Sequence, residues 1–351
     1  MQRNRAIVFS AVAAAGTAAA ASWHSVRKLA QRSKPVGQGP QTAVEHAPAK
    51  VALVINPVKA KAGEARRAVA RVCAEAGLPA PLVLETTRQN AGQDAARQAL
   101  DAGCDTVLAA GGDGTIRAVA EVLEGSEATL GILPLGTGNL LARNVDVPLD
   151  DLHTAALVAV RGLVSRVDVG HMRLKLLDGS EADHAFLVIA GVGTDADMFD
   201  DTDEELKAKV GWLAYSQAGL RQLPGKRKKV QFQLAGDEHW QARQVRSVLF
   251  ANVGKLQGLD FVPEAKIDDG LLDAVVLSPR SAAGWTWIFL KTAFRAKNKI
   301  PVMSFYQAAG VKLRCAEPMN TQIDGDTTGQ VNELEVLVNP ASLRLRVPAA
   351  D

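Results

Sequence analysis

A disulfide framework is the first thing this sequence lacks. Its 351 residues include three cysteines, Cys73, Cys104 and Cys315, and no Cys-x-x-Cys or Cys-x-x-x-Cys pair. So sparse and odd a set reads as reduced thiols in a cytosolic domain. The six histidines are scattered, with neither His-x-His nor His-x-x-x-His spacing, which argues against a histidine-built zinc site. Charge of one sign is also missing: the formal balance is +2, so nothing global points to a nucleic-acid partner. Two familiar nucleotide loops are absent. There is no Gly-x-x-x-x-Gly-Lys-Ser/Thr, and no Gly-x-Gly-x-x-Gly after the first strand pattern. A Walker-type nucleotidase and a Rossmann dehydrogenase are both disfavoured.

What is present fits a soluble globular class, with 47% apolar and 22% charged residues and length for two domains. The N-terminus stands apart. Arg3 and Arg5 precede an uncharged, alanine-rich run over residues 6–23, and Arg27, Lys28, Arg32 and Lys34 follow it. The run is just long enough to span a bilayer, but alanine makes it marginal. A membrane anchor or membrane-touching leader, a cleaved signal, and a leader with no membrane role are the three readings. The flanking bases favour a cytoplasmic C-terminal side. Residues 33–49, with Pro35, Gly37, Gly39 and Pro40, read as a linker.

From residue 51 strand and helix patterns alternate. Residues 51–55, 82–84, 106–110 and 130–133 are short apolar runs, with helical spacing over 62–76, 91–102 and 116–123 between them. Such alternation predicts a parallel α/β layer structure with its ligand site at the carboxyl ends of the strands. Asn56, Thr87, the turn at Gly111 and the turn at Gly136 all fall there. After about residue 167 strand patterns dominate, at 167–176, 185–190, 230–234, 245–253, 271–277, 311–313 and 334–338. Helical patterns at 204–220 and 282–297 interrupt them. The expected organisation is a leader and linker over 1–50, an α/β nucleotide-binding domain over 51–160, and a mostly antiparallel, sandwich-like domain over 161–351. The last segment of that second domain is free to pack back on the first.

Ala110-Gly111-Gly112-Asp113-Gly114-Thr115 lies between an apolar strand and an amphipathic helix. Glycines let backbone approach a phosphate, and the N–H groups and dipole of the following helix attract the anion. One strand later comes Pro134-Leu135-Gly136-Thr137-Gly138-Asn139, where Thr137 and Asn139 can hydrogen-bond phosphate or ribose, or cap the helix that starts at Leu140. Asp113 beside bound phosphates makes sense only with a cation between them, so Mg²⁺ is expected there. Asp324-Gly325-Asp326 offers two carboxylates for proton transfer, against the alternative of a solvated turn. The acidic stretch 195–205 reads as a solvated helix start. Lys226 to Lys229 reads as an exposed turn, and the aromatic segment 285–290 as core packing, with a bilayer contact as the minority reading.

Residues 51–57, the Gly-Gly-Asp-Gly-Thr turn and the run Gly131 to Asn144 together resemble the diacylglycerol kinase catalytic-domain family. The resemblance extends through Gly191-Val-Gly-Thr-Asp-Ala196, Asp269-Gly-Leu-Leu-Asp273 and Gln322-Ile-Asp-Gly-Asp326, in the family's order. It implies an ATP-dependent lipid kinase with Mg²⁺, acting on diacylglycerol or, second, a long-chain base. By position it implies that Asn56, Thr87, Gly111, Gly112, Asp113, Gly114, Thr115, Gly136, Thr137 and Asn139 hold the nucleotide. The loop after Thr87 departs from the family's usual Gly-Asp-Ala. A structural Mg²⁺ is implied at Asp269 and the main-chain oxygens of Lys266 and Leu271. The family's proton acceptor is commonly a glutamate at the place of Asp326, one methylene longer, which leaves Asp324 and Asp326 both open as the base. The implied partner is a lipid at a membrane surface, with no nucleic acid; a homodimer is allowed, and the location is cytoplasmic or attached through residues 6–23. An NAD kinase and a non-catalytic binding module are the competing readings.

Overall fold

A computed structural model describes residues 47–87, 89–193, 227–256, 259–293 and 300–349. The leader, the linker up to residue 46, residues 194–196 of the motif at Gly191, the acidic stretch, the helix expected over 204–220, Lys226 and the end of the helix expected over 282–297 lie outside them.

The first part is a three-layer α/β unit. Its strands are β1 (Val51–Ile55), β2 (Leu82–Glu85), β3 (Thr106–Gly111) and β4 (Thr129–Pro134), paired in parallel in the order β4-β3-β1-β2. Parallel strands covered on both faces are apolar throughout, and β1 is buried at every position. Val51, Leu53 and Ile55 share a core with helices α1 (Ala62–Glu75) and α5 (Leu152–Arg161). Ala52 and Val54 point the other way, to α2 (Gln93–Asp101) and α3 (Asp113–Leu123). The sequence reading missed α5, although Asp151 caps its start and Arg161 and Gly162 mark its end.

The second part is antiparallel. Its strands are β5 (Leu163–Leu176), β6 (Glu181–Phe186), β7 (Ile189–Gly193), β8 (Lys228–Leu234), β9 (Gln241–Val245), β10 (Ser247–Ala251), β13 (Leu272–Leu277), β14 (Met303–Ala308), β15 (Gly310–Ile323) and β16 (Asp326–Val347), with a small β11 (Lys255–Leu256) and β12 (Leu259–Asp260) hairpin. Short helix α4 (Leu140–Asn144) and helix α6 (Ala282–Ala293) complete the described elements. One 14-stranded sheet runs through both parts, because β16 pairs antiparallel with β15 and β5 and then parallel with β4 at Arg344 and Leu345. The expected strand at 185–190 divides into β6 and β7 at a bend over Leu187 and Val188. Among the described residues no helix is long and apolar enough to cross a membrane.

An ionic clamp ties the far end of α3 to this sheet. His171 of β5 contacts Glu124 at 2.8 Å and Asp183 of β6 at 3.1 Å, and Glu124 also accepts from Asn339 and Ser342. Burial alone would lower the imidazole's pKa, but Asp183 and Glu124 outweigh it and lift it to about 9. A histidine raised in the folded state contributes fully below its unfolded value near 6.5 and loses that contribution as pH rises through about 9. Burial likewise pushes the carboxyls of Asp168, Asp273 and Asp324 to about 6, so their folded state takes up protons and is disfavoured as pH passes from about 4 to 6. The melting temperature should therefore fall steadily from pH 5 to pH 9. The upper part of that slope should disappear in His171→Gln, and an unchanged upper slope would remove the clamp from the account.

Candidate active site

The two glycine turns touch. β3 and β4 are neighbours, so their carboxyl ends lie side by side, and the Leu135 N–H donates to the Gly111 carbonyl at 2.8 Å. A Cβ on Gly136 would sit 2.7 Å from the Cα of Gly112, a main-chain atom with nowhere to move. Glycine at 136 is thus a packing requirement. α3 starts directly behind this contact, with Gly112 as its N-cap. The first N–H groups of a helix have no acceptor inside it, and here they lie beside the second turn.

Asp113 and Asn139 hold the second turn in shape. Asn139 is the N-cap of α4 at φ 46°, yet its side chain does not cap the helix. Its Oδ1 accepts from the Gly136 N–H at 3.0 Å, and its Nδ2 donates to the Gly136 carbonyl at 2.8 Å. The cap comes from across the gap instead: Asp113 Oδ1 accepts the Leu140 N–H at 2.7 Å. A Cβ on Gly138 would come within 2.7 Å of Asp113 Oδ2, so the third glycine makes room for the carboxylate. Arg143 Nε secures the Gly138 carbonyl at 2.9 Å. Burial raises the Asp113 carboxyl, opposed by main-chain N–H groups of Leu140 and its neighbours. Thr115 is buried under the first turn, while Thr137 is exposed on the second.

The hairpin between β15 and β16 reaches the same place from the second part. Asp324, at φ 49°, accepts N–H groups of Leu187, Val188 and Ile189 at 3.3, 3.2 and 2.9 Å. Both its oxygens are engaged in closing the bend between β6 and β7. Desolvation raises its carboxyl most, the Ile189 N–H and Arg117 oppose the rise, and the charge of Asp113 adds a small part to it. Gln322 Oε1 accepts the Gly325 N–H at 3.0 Å and sets the turn. Asp326 is exposed, and its Oδ2 lies 4.0 Å from where a Cβ on Gly114 would be. Arg117 of α3, which the motif reading missed, donates from Nη2 to Asp326 Oδ2 at 2.6 Å and from Nη1 to the Ile323 carbonyl at 2.8 Å. Its position four residues after Asp113, on the same face of α3, was the available signal.

Asn56 follows β1 with its N–H on the Ala110 carbonyl, adjoining the first turn. Thr87 lies two residues past the end of β2, the outermost strand of this unit and two strands from β3, and its hydroxyl accepts the Asn90 N–H at 3.1 Å. Thr87 is therefore the nucleotide candidate farthest from the two turns along the sheet.

The loop with Lys266, Asp269 and Leu271 is organised separately. Asp168, buried in β5, accepts the Gly270 N–H and the Ala341 N–H, each at 2.7 Å. Asp269 Oδ1 accepts the Leu271 N–H at 3.0 Å. Burial first, and then the charge of Asp268, raise the Asp269 carboxyl. One carboxylate and two main-chain carbonyls suit a hard cation in kind, and a bound cation would reverse that rise. These bonds go to Asp168 and to the loop itself, not to Asp113, Asp324 or Asp326. Asp168 stood unnoticed in the sequence inside an apolar strand.

Two touching glycine turns stand at the tip of a parallel sheet, which is joined through β16 to a β-rich part that carries a carboxylate hairpin. The chain matches the diacylglycerol kinase catalytic domain over residues 50–172 and the YegS C-terminal NAD kinase beta sandwich-like domain over residues 188–347. A Pseudomonas aeruginosa protein named "Probable lipid kinase YegS-like" is 33% identical over 311 residues, covering 86% of this chain and 95% of that one. A Bacillus subtilis protein named "Diacylglycerol kinase" is 27% identical over 241 residues, covering 68% and 76%. The crystal structure of a diacylglycerol kinase from Bacillus anthracis shares the fold with a TM-score of 0.67 at 22% identity, covering 86% and 98%. The chain belongs to the lipid kinase family that carries the diacylglycerol kinase catalytic domain. It is a phosphotransferase of that family, and use of ATP goes with membership.

Proposed function

We propose that the protein transfers the γ-phosphoryl group of ATP to the free hydroxyl of diacylglycerol, giving phosphatidic acid. The observation that carries this reading is the contact of the two glycine turns beneath a carboxylate hairpin. Main-chain N–H groups at the start of α3 and in the 136–139 turn bind the phosphates, and Asn56 and Thr137 line their approach. Magnesium, when bound, neutralises charge on the transferring group. Among the described residues no cluster of three or more His, Cys, Asp or Glu side chains is set to hold a metal. Asp113 fits the mode in which one or two carboxylates share Mg²⁺ with substrate phosphates. Asp326 takes the proton of the lipid hydroxyl, since Asp324 is committed to three N–H groups. The loop of Lys266, Asp269 and Leu271 holds a second, structural Mg²⁺. The lipid is drawn from the cytoplasmic face of a membrane, where residues 6–23 keep the enzyme close. The name of the catalytic domain and that of the Bacillus subtilis relative favour diacylglycerol over a long-chain base.

Incubation with γ-labelled ATP, Mg²⁺ and a mixed lipid extract, and separately with NAD, tests the assignment. Labelled phosphatidic acid is expected. A labelled long-chain base or another lipid would move the substrate, labelled NADP would overturn the lipid assignment, and no transfer with retained ATP binding would leave a binding module.

A further inference from the structure

Arg117 links two stretches of chain more than 200 residues apart, through the Ile323 carbonyl at 2.8 Å and the Asp326 carboxylate at 2.6 Å. It projects from the helix whose first turn forms the phosphate site, one helical turn beyond Asp113. Its side chain is mostly enclosed, at 22% exposure, while that of Asp326 is 63% exposed. An exposed aspartate at a hairpin tip ordinarily samples several rotamers. Here a charge-assisted hydrogen bond fixes it. The second bond, to the Ile323 carbonyl, holds the guanidinium itself, so the arginine is a rigid strut rather than a loose surface partner.

We propose that Arg117 is a positioning residue for phosphoryl transfer, setting the Asp326 carboxylate at a fixed place relative to the phosphate turn. The inference rests on the reading of Asp326 as proton acceptor. The donor site is built on the N-terminus of α3, and Arg117 belongs to the same helix. The strut therefore references the acceptor's base to the element that holds the donor. The aspartate is short, so its reach depends on where its main chain and rotamer are held. Misplacement of a reacting group by about 1 Å costs roughly 100-fold in rate.

A double-mutant cycle tests this on the full-length protein, with transfer rate and ATP affinity read in parallel. Arg117→Ala should lower kcat by roughly 10- to 100-fold and leave the Kd for ATP within about threefold. In an Asp326→Ala background the same change should cost nothing further, because the arginine acts through the carboxylate. Added guanidinium ion should restore part of the activity of Arg117→Ala and none in the double variant. Arg117→Lys, which keeps the charge and one donor, should fall between wild type and Arg117→Ala, and it serves if the alanine variant does not fold. An equal loss in both backgrounds, or a large rise in the Kd for ATP, would mean that Arg117 meets the nucleotide directly and would overturn the proposal. If Asp326→Ala is dead and Arg117→Ala is normal, the proposal alone fails. If Asp326→Ala is itself active, the reading of Asp326 as base fails and takes the proposal with it.

Discussion

Asp326→Ala should lower kcat by roughly 1,000-fold while the affinity for ATP stays within about threefold of wild type. The two halves of this result come from different parts of the molecule. In the proposed reading the nucleotide is gripped by main-chain groups at the tips of β3 and β4, which Asp326 does not build. The carboxylate belongs to the hairpin from the second part and is hydrogen-bonded to the first through Arg117. Its removal leaves no buried group without a partner, because Asp326 is exposed and Arg117 keeps the Ile323 carbonyl. Stability should hardly change. Asp324→Ala should behave differently. It strips three N–H groups of their acceptor at the bend between β6 and β7, so the melting temperature should drop along with activity. A normal rate in Asp326→Ala would end its candidacy as the base.

Gly136→Ala should abolish measurable ATP binding, with a loss of roughly 100-fold or more, and cost about 1–3 kcal/mol of stability through overpacking. The added Cβ meets the Cα of Gly112 at 2.7 Å and the Asn139 Oδ1 at 3.0 Å. One of the two turns must then move, and in the proposed reading the two together surround the polyphosphate. Gly63→Ala is the matched control. That glycine lies in the first turn of α1, where a Cβ would find only Arg67 Nη1 at 3.6 Å, so the variant should be at least as stable as wild type. Its ATP affinity should not change. Wild-type affinity in Gly136→Ala would mean that the contact between the turns is not the phosphate site.

The first part of the fold was legible because its signals are local. Each strand of the parallel layer is a short apolar run, and Gly77 and Gly103 mark the ends of α1 and α2 with φ of 69° and 73°. The second part was read as strands in roughly the right places but of the wrong lengths. β15 has 14 residues and β16 has 22, each with a register shift where one strand changes partners. Their half-exposed positions show broken alternation, so only the most apolar pieces stood out. The glycine turns were visible as motifs, but the division of labour between Asp113 and Asn139 was not. Asn139 has the right chemistry and position to cap α4, yet a carboxylate from 27 residues earlier does so. The roles of Arg117 and Asp168 depend on partners more than 100 residues distant, which spacing along the chain does not encode.

Calorimetric titration of the full-length protein with ATP, in the presence and absence of Mg²⁺, reads the polyphosphate cradle most directly. A single Mg²⁺-dependent site that disappears in Gly136→Ala and survives in Asp326→Ala is the predicted result. Failure of the wild-type protein to bind any nucleoside triphosphate with Mg²⁺ would contradict the account.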